Sequence, residues 1–98
     1  MLTSKQRVQL RAMANNTETI FQIGKAGVNG PLIKQVEEAL EKRELIKLRC
    51  LESSPAGPAE AAAEVAQKAG AEVVFVIGSR FVLYKESKEN KNIELVKR

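Results

Sequence analysis

Apolar and polar residues follow each other along this chain with two periods, one typical of helices and one typical of strands. Three segments have the helical period. The first opens with Thr3 and Gln6, which have the spacing of a capping box, and it is predicted to run to about Ala14. The other two helices are predicted to open at 29–31 and at about Ala59, and the last of them to end at Gly70.

In the first helix, apolar and basic side chains fall on different sides. We expect its buried face to consist of Val8, Ala12 and Met13, with Leu10 near its edge. Arg7 and Arg11 lie one turn apart on the opposite side, which predicts a basic face in contact with water.

Four short segments are rich in the apolar and β-branched residues that favour strands. They are predicted over 20–23, 45–50, 73–77 and 81–84. In the second of them, apolar residues alternate with Lys47 and Arg49, so one face of that strand should meet the core while the other carries positive charge in water. Gly78-Ser79-Arg80 predicts a hairpin turn between the last two strands.

The order of elements is therefore α-β-α-β-α-β-β, which predicts an α/β fold with a four-stranded mixed sheet packed with helices. The strand–helix–strand units favour parallel pairing, whereas the final hairpin must be antiparallel. With 98 residues the chain has room for a single compact domain. We expect this domain to span 1–85 and a charged tail to span 86–98, with a short edge strand at 93–96.

Composition argues against most enzyme chemistry. The chain has no His, Asp or Trp and only one cysteine, Cys50, so it offers no imidazole for acid–base or nucleophilic catalysis and too few ligands for a zinc site. We expect a protein that is not an enzyme and that uses no metal, cofactor or small-molecule substrate. No apolar stretch is long enough for a membrane span, and a lone cysteine fits a reducing compartment, so we expect a cytoplasmic protein.

Positive charge is concentrated in the first third of the chain. The net charge is +4, and residues 1–34 hold five basic residues against one glutamate. The following stretch, residues 35–70, holds five basic and seven acidic residues. This asymmetry predicts a protein that meets a polyanion on one side only; a mildly basic, solvated surface is the alternative.

The most informative motif is Gly24-Lys25-Ala26-Gly27, between a predicted strand and a predicted helix. Two glycines three residues apart let the backbone turn sharply and leave its amides uncovered. A phosphate group could then approach these amides, helped by the following helix N-terminus and by the charge of Lys25. A plain turn without function explains the same spacing, but the neighbouring basic residues favour a nucleic-acid backbone as the ligand.

Six short segments, spread over nearly the whole chain, carry a family resemblance. They are Leu2-Thr3-Ser4-Lys5-Gln6-Arg7 with Leu10-Arg11, Ile23-Gly24-Lys25-Ala26-Gly27, Glu44-Leu45-Ile46-Lys47, Ala61-Ala62-Ala63, Val76-Ile77-Gly78 and Val82-Leu83-Tyr84-Lys85. In this order the segments resemble the CRM domain family, specifically its small stand-alone bacterial members of the YhbY type.

The resemblance implies an RNA-binding module whose fold is similar to the C-terminal domain of translation initiation factor 3. It also implies a role on ribosomal RNA in precursors of the large ribosomal subunit, and we expect the protein to act as a monomer. The RNA-contacting loop of the family corresponds to Gly24, Lys25, Ala26 and Gly27. The basic residues that flank this loop correspond to Arg7, Arg11 and Lys47.

Two other functions are compatible with the sequence. A protein-interaction module could dock on a ribosomal protein or assembly factor through its acidic helices, using Glu37, Glu38 and Glu41. A small nucleotide-using enzyme could hold a phosphate at Lys25 and would bind mononucleotides saturably.

Overall fold

The computed structural model describes residues 2–91 and 93–96. It contains three helices and four strands in the predicted order. They are α1 (Ser4–Ala14), β1 (Thr19–Ile23), α2 (Gly30–Arg43), β2 (Leu45–Cys50), α3 (Pro58–Ala69), β3 (Glu72–Ile77) and β4 (Arg80–Tyr84). No helix in this part of the chain is long and apolar enough to cross a membrane.

The four strands form one mixed sheet with the order β1-β2-β4-β3. β1 and β2 are parallel, and β4 is antiparallel to both of its neighbours. β1, β2 and β3 therefore run in the same direction, and their C-terminal ends meet at one edge of the sheet. This edge holds the loops that follow β1 and β2, together with the turn between β3 and β4. The predicted mixed α/β sheet is confirmed.

Local sequence explains where the helices begin and end. Thr3 and Gln6 form both hydrogen bonds of the predicted capping box at the start of α1. Asn29 accepts the Leu32 amide at the start of α2, with a distance of 2.9 Å. Gly70 ends α3 in the left-handed conformation, with φ of +70°, as predicted from its position after the last apolar residue.

The sheet separates two apolar clusters, so the domain has three layers. α2 and α3 pack on one face, around side chains such as Val36, Leu40, Val65 and Phe81. On the other face α1 packs, together with part of the C-terminal tail, around a smaller cluster. Its buried members are Leu10, Ala14, Leu45, Val74, Val82, Tyr84 and Ile93.

The prediction for the buried face of α1 is wrong. Val8 is 69% exposed, and Ala12 and Met13 also lie at the surface. The buried residues are instead Gln6, Leu10 and Ala14. The helix therefore turns a partly polar side towards the sheet. Burial of Gln6 is tolerated because its side chain donates to the Val96 carbonyl of the tail, an acceptor that the helical pattern alone does not reveal.

The tail follows α1 instead of extending the sheet. Residues 93–96, expected as a short edge strand, have irregular backbone. The side chain of Gln9 holds this segment at two points, donating to the Glu94 carbonyl at 2.8 Å and accepting the Val96 amide at 2.8 Å. Ile93 is buried beside the α1 cluster, so this part of the tail contributes to the core.

Candidate functional site

Gly24–Gly27 forms a tight turn at the end of β1. The Gly27 amide donates to the Gly24 carbonyl at 2.9 Å, and Gly27 has φ of +68°, a conformation that glycine adopts without strain. Lys25 and Ala26 are exposed at the tip. Within the described residues, the backbone amides of Lys25 and Ala26 have no acceptor, so they are available to a ligand.

The sides of this turn are packed against the loop that follows β2. A Cβ atom built on Gly27 would lie 3.1 Å from Cγ of Pro55, which is a tight contact. One built on Gly24 would lie 3.6 Å from side-chain atoms of Leu51 and Ser53, which is an ordinary contact. The turn is therefore held in place at its base and open at its tip.

Basic side chains occupy the part of the sheet that α1 leaves uncovered. Lys47 and Arg49 alternate with the buried residues of β2 and share the face of Leu45, which packs against α1. Lys47 is half-buried and pairs in register with Thr19 and Val82. Arg49, one step closer to the loop edge, is exposed. The predicted division of β2 into an apolar and a basic face is confirmed.

Arg80 joins this surface from the neighbouring strand. It pairs directly with Arg49 across β2 and β4, so both side chains point to the same face, and both are exposed. Sequence reasoning placed Arg80 in the hairpin turn. The turn consists of Gly78 and Ser79 alone, and a two-residue hairpin would have put Arg80 in the strand.

The two predicted arginines of α1 differ in their surroundings. Arg11 is exposed, and its guanidinium lies 5.0 Å from the ring centroid of Phe75, at the border of the uncovered sheet. Arg7 is half-buried and donates from Nη1 to the carbonyl oxygens of Val73 and Val74. The expectation that both arginines lie on a water-exposed face is therefore wrong for Arg7.

Four basic side chains surround this uncovered part of the sheet: Arg11 of α1, Lys47 and Arg49 of β2, and Arg80 of β4. We refer to them together as the open sheet face. Lys25 and the free amides of the turn lie beyond the end of the same strands. The open sheet face and the turn together offer cations and amide donors, which are the groups that bind phosphates. In the described residues, no three side chains of His, Cys, Asp or Glu come together to hold a metal ion.

Comparison with known proteins gives consistent results. The CRS1 / YhbY (CRM) domain model matches residues 2–85. A Bacillus subtilis (strain 168) protein, named "Probable RNA-binding protein YqeI", is 48% identical over 95 residues, which cover 97% of this chain and 99% of that protein. The solution structure of the hypothetical protein SAV1595 from Staphylococcus aureus, described provisionally as an RNA-binding protein, is 49% identical. It covers 98% of this chain and 100% of its own, with a TM-score of 0.81.

Proposed function

The chain belongs to the CRS1 / YhbY (CRM) domain family, and on this premise we propose that it is a non-catalytic protein that binds ribosomal RNA in precursors of the large ribosomal subunit, in the cytoplasm. The observation that carries this proposal is the exposed Lys25-Ala26 tip, with two free amides, at the end of an uncovered sheet face rich in cations. The names of its relatives support the RNA-binding part of the proposal.

The proposed binding mode uses the RNA backbone more than the bases. The turn accepts a phosphate on the amides of Lys25 and Ala26, with the Lys25 ammonium as an additional charge. Gly24 and Gly27 let the backbone turn while it packs closely on the loop that follows β2, which holds the two amides at the tip. Arg11 and Lys47 contribute charge from the open sheet face, while the guanidinium of Arg7 is engaged with β3.

A filter-binding titration across a salt series tests the proposal with a transcript of large-subunit ribosomal RNA. About four phosphate contacts predict a slope of log K against log salt near −3 to −4. The Lys25→Ala variant should flatten the slope by about one unit. Lys68→Ala is the matched control, because Lys68 is exposed near the C-terminal end of α3 and, within the described residues, pairs only with Glu64. Absence of binding by the wild type would exclude the proposal, and an unchanged slope and affinity for Lys25→Ala would remove Lys25 from the site.

Fractionation of a bacterial lysate on a sucrose gradient tests the cellular part of the proposal. The protein should sediment with precursors of the large subunit and crosslink to their RNA. Sedimentation only with free proteins, or crosslinks only to messenger RNA, would contradict the assignment.

The structure weakens the alternative of a protein-interaction module. Of the three glutamates on α2, Glu41 is already engaged inside the chain. It accepts the Ser87 hydroxyl and the Lys88 amide. Its carboxylate therefore holds the tail and is not free for a partner. A pull-down that retains its partner proteins after nuclease treatment would nevertheless favour this alternative.

A further inference from the structure

Arg49 and Arg80 form a like-charged pair at a fixed position. They are direct partners across β2 and β4, which places their Cβ atoms about 4.5–5.5 Å apart. Like charges in this arrangement destabilise a sheet. No carboxylate of the described residues forms an ion pair with either guanidinium, so nothing within this part of the chain offsets the repulsion.

The backbone around this pair is well fixed. Arg49 is also in register with Gln22 of β1, and Arg80 with Ile77 of β3, so the pair lies in a row that crosses all four strands. The next residue of β2, Cys50, donates its amide to the Ser79 carbonyl, which ties β2 to the hairpin turn. Both arginines therefore extend from hydrogen-bonded strands.

The same row lies next to the Gly24–Gly27 turn. Gln22 is two residues before Gly24, and Ile23 pairs with Cys50 at the edge where the turn begins. At about 3.3 Å per residue and about 4.8 Å between strands, the backbones of the turn and of the arginine pair are separated by roughly 10 Å. A single RNA strand can contact both.

We propose that Arg49 and Arg80 together bind one phosphate group of the RNA, so that the strand held at the Lys25-Ala26 tip continues over the open sheet face. This inference rests on the proposed RNA-binding function. Guanidinium groups bind phosphate oxygens through two parallel hydrogen bonds, and two such groups on neighbouring strands can hold one phosphate from both sides. The bound phosphate offsets the repulsion between the two arginines.

A double-mutant cycle tests the shared phosphate with the same ribosomal RNA transcript and salt series. Arg49→Gln and Arg80→Gln should each weaken binding by about tenfold, the equivalent of about 1.4 kcal/mol, and flatten the salt slope by about one unit. The double variant should bind RNA only slightly more weakly than either single variant, because the shared site needs both arginines and is already lost when one of them is replaced. Arg43→Gln, on the exposed end of α2, is the matched control and should bind like the wild type.

Each result decides the inference. Additive losses with a slope change of about two units would show two separate phosphate contacts and overturn the shared site. Loss in the Lys25→Ala variant without loss in either arginine variant would overturn this inference and leave the proposed function standing. A wild-type protein that binds no RNA would overturn both.

Two further measurements separate phosphate binding by Arg80 from an effect on folding. Arg80→Lys keeps the charge but cannot bind bidentately. Compared with Arg80→Gln, it should therefore restore the slope of log K against log salt but only part of the RNA affinity. Thermal unfolding without RNA at low salt should show Arg80→Gln at least as stable as the wild type, because the variant removes the repulsion. A marked loss of thermal stability would assign Arg80 a structural role and overturn the proposed phosphate contact.

Discussion

Arg7 of α1 donates a hydrogen bond to the carbonyl oxygen of Val74, at a distance of 3.1 Å, and also contacts the carbonyl of Val73. The register of β3 against β4 shifts at this point, between Val73 and Phe75. A shift of this kind disrupts the ladder and leaves backbone groups without their strand partners. Arg7 thus supplies a charged donor to two carbonyls of an irregular strand and joins α1 to the sheet.

This contact predicts that Arg7 contributes to stability. Arg7→Ala should lower the free energy of unfolding by about 1.5–3 kcal/mol, since it removes charge-assisted hydrogen bonds to partly buried carbonyls. Urea unfolding followed by circular dichroism measures the change. Lys5→Ala, on an exposed position of the same helix, should change stability by less than about 0.5 kcal/mol. A variant of Arg7 that keeps full stability but loses RNA affinity would place this residue in the binding surface instead.

The position of Arg7 also explains why one side of α1 was predicted wrongly. The hydrophobic pattern favoured Val8 and placed Leu10 only near the edge, whereas the structure buries Gln6 and Leu10. Gln6 donates to the carbonyl of Val96, and Arg7 to carbonyls at the β3 irregularity. Both acceptors come from segments more than 60 residues away along the chain. Helical periodicity contains no information about such distant acceptors.

Local signals, in contrast, predicted most of the framework. The caps of α1 and α2 and the end of α3 depend on residues within a few positions of each other. The alternation in β2 placed Lys47 and Arg49 on one face. The partnership between Arg49 and Arg80 depends on strand order, because β4 is inserted between β2 and β3. It follows from the sheet and not from the spacing of either residue.

The two glycines of the turn should differ in their tolerance of a side chain. Gly27→Ala should destabilise the fold by about 1–2 kcal/mol, because φ of +68° is strained for any L-residue and the new Cβ would meet Pro55. Gly24→Ala should cost less than about 0.5 kcal/mol, since its Cβ would make only ordinary contacts. Chemical denaturation of both variants checks this difference. Equal losses would mean that the turn differs from the geometry described above.

Gly24→Ala is consequently the better probe of the turn in RNA binding. A change in affinity for this variant reports on the turn itself, since its stability should stay close to that of the wild type. For Gly27→Ala, any loss of affinity would be mixed with the loss of folding.

Acidification should release part of the tail. The hydroxyl of Ser87 and the amide of Lys88 donate to Glu41, and these bonds hold the pKa of the Glu41 carboxyl below its ordinary value of 4.5. The ionised form is therefore favoured in the folded state. Its contribution to stability is present above pH 4.5 and is lost as the pH falls through the lower folded value. The amide chemical shift of Lys88, followed by NMR, should titrate with a midpoint below 4.5.

Glu41→Gln provides the control for this titration. The variant keeps an acceptor near Lys88 but has no carboxyl to protonate, so the amide shift of Lys88 should no longer change in this range. A midpoint at or above 4.5 in the wild type would contradict the assigned contacts.

Glu44 should be the residue that attaches the tail most firmly. It is fully buried, and its two carboxylate oxygens accept the amides of Ser87 and Ile93, each at 2.8 Å. Glu44→Gln places an NH₂ group against one of these amides, so that one buried donor loses its acceptor, and it should cost about 1–3 kcal/mol. Glu44→Gly removes both acceptors but relieves the φ of +63° that Glu44 adopts, which offsets about 1 kcal/mol of its loss.

Hydrogen exchange at Ile93 should accelerate in both variants, while exchange in β1 follows only the global change in stability. Unchanged protection of Ile93 in Glu44→Gln would show that the tail is held by the contacts of Gln9 and by apolar packing instead.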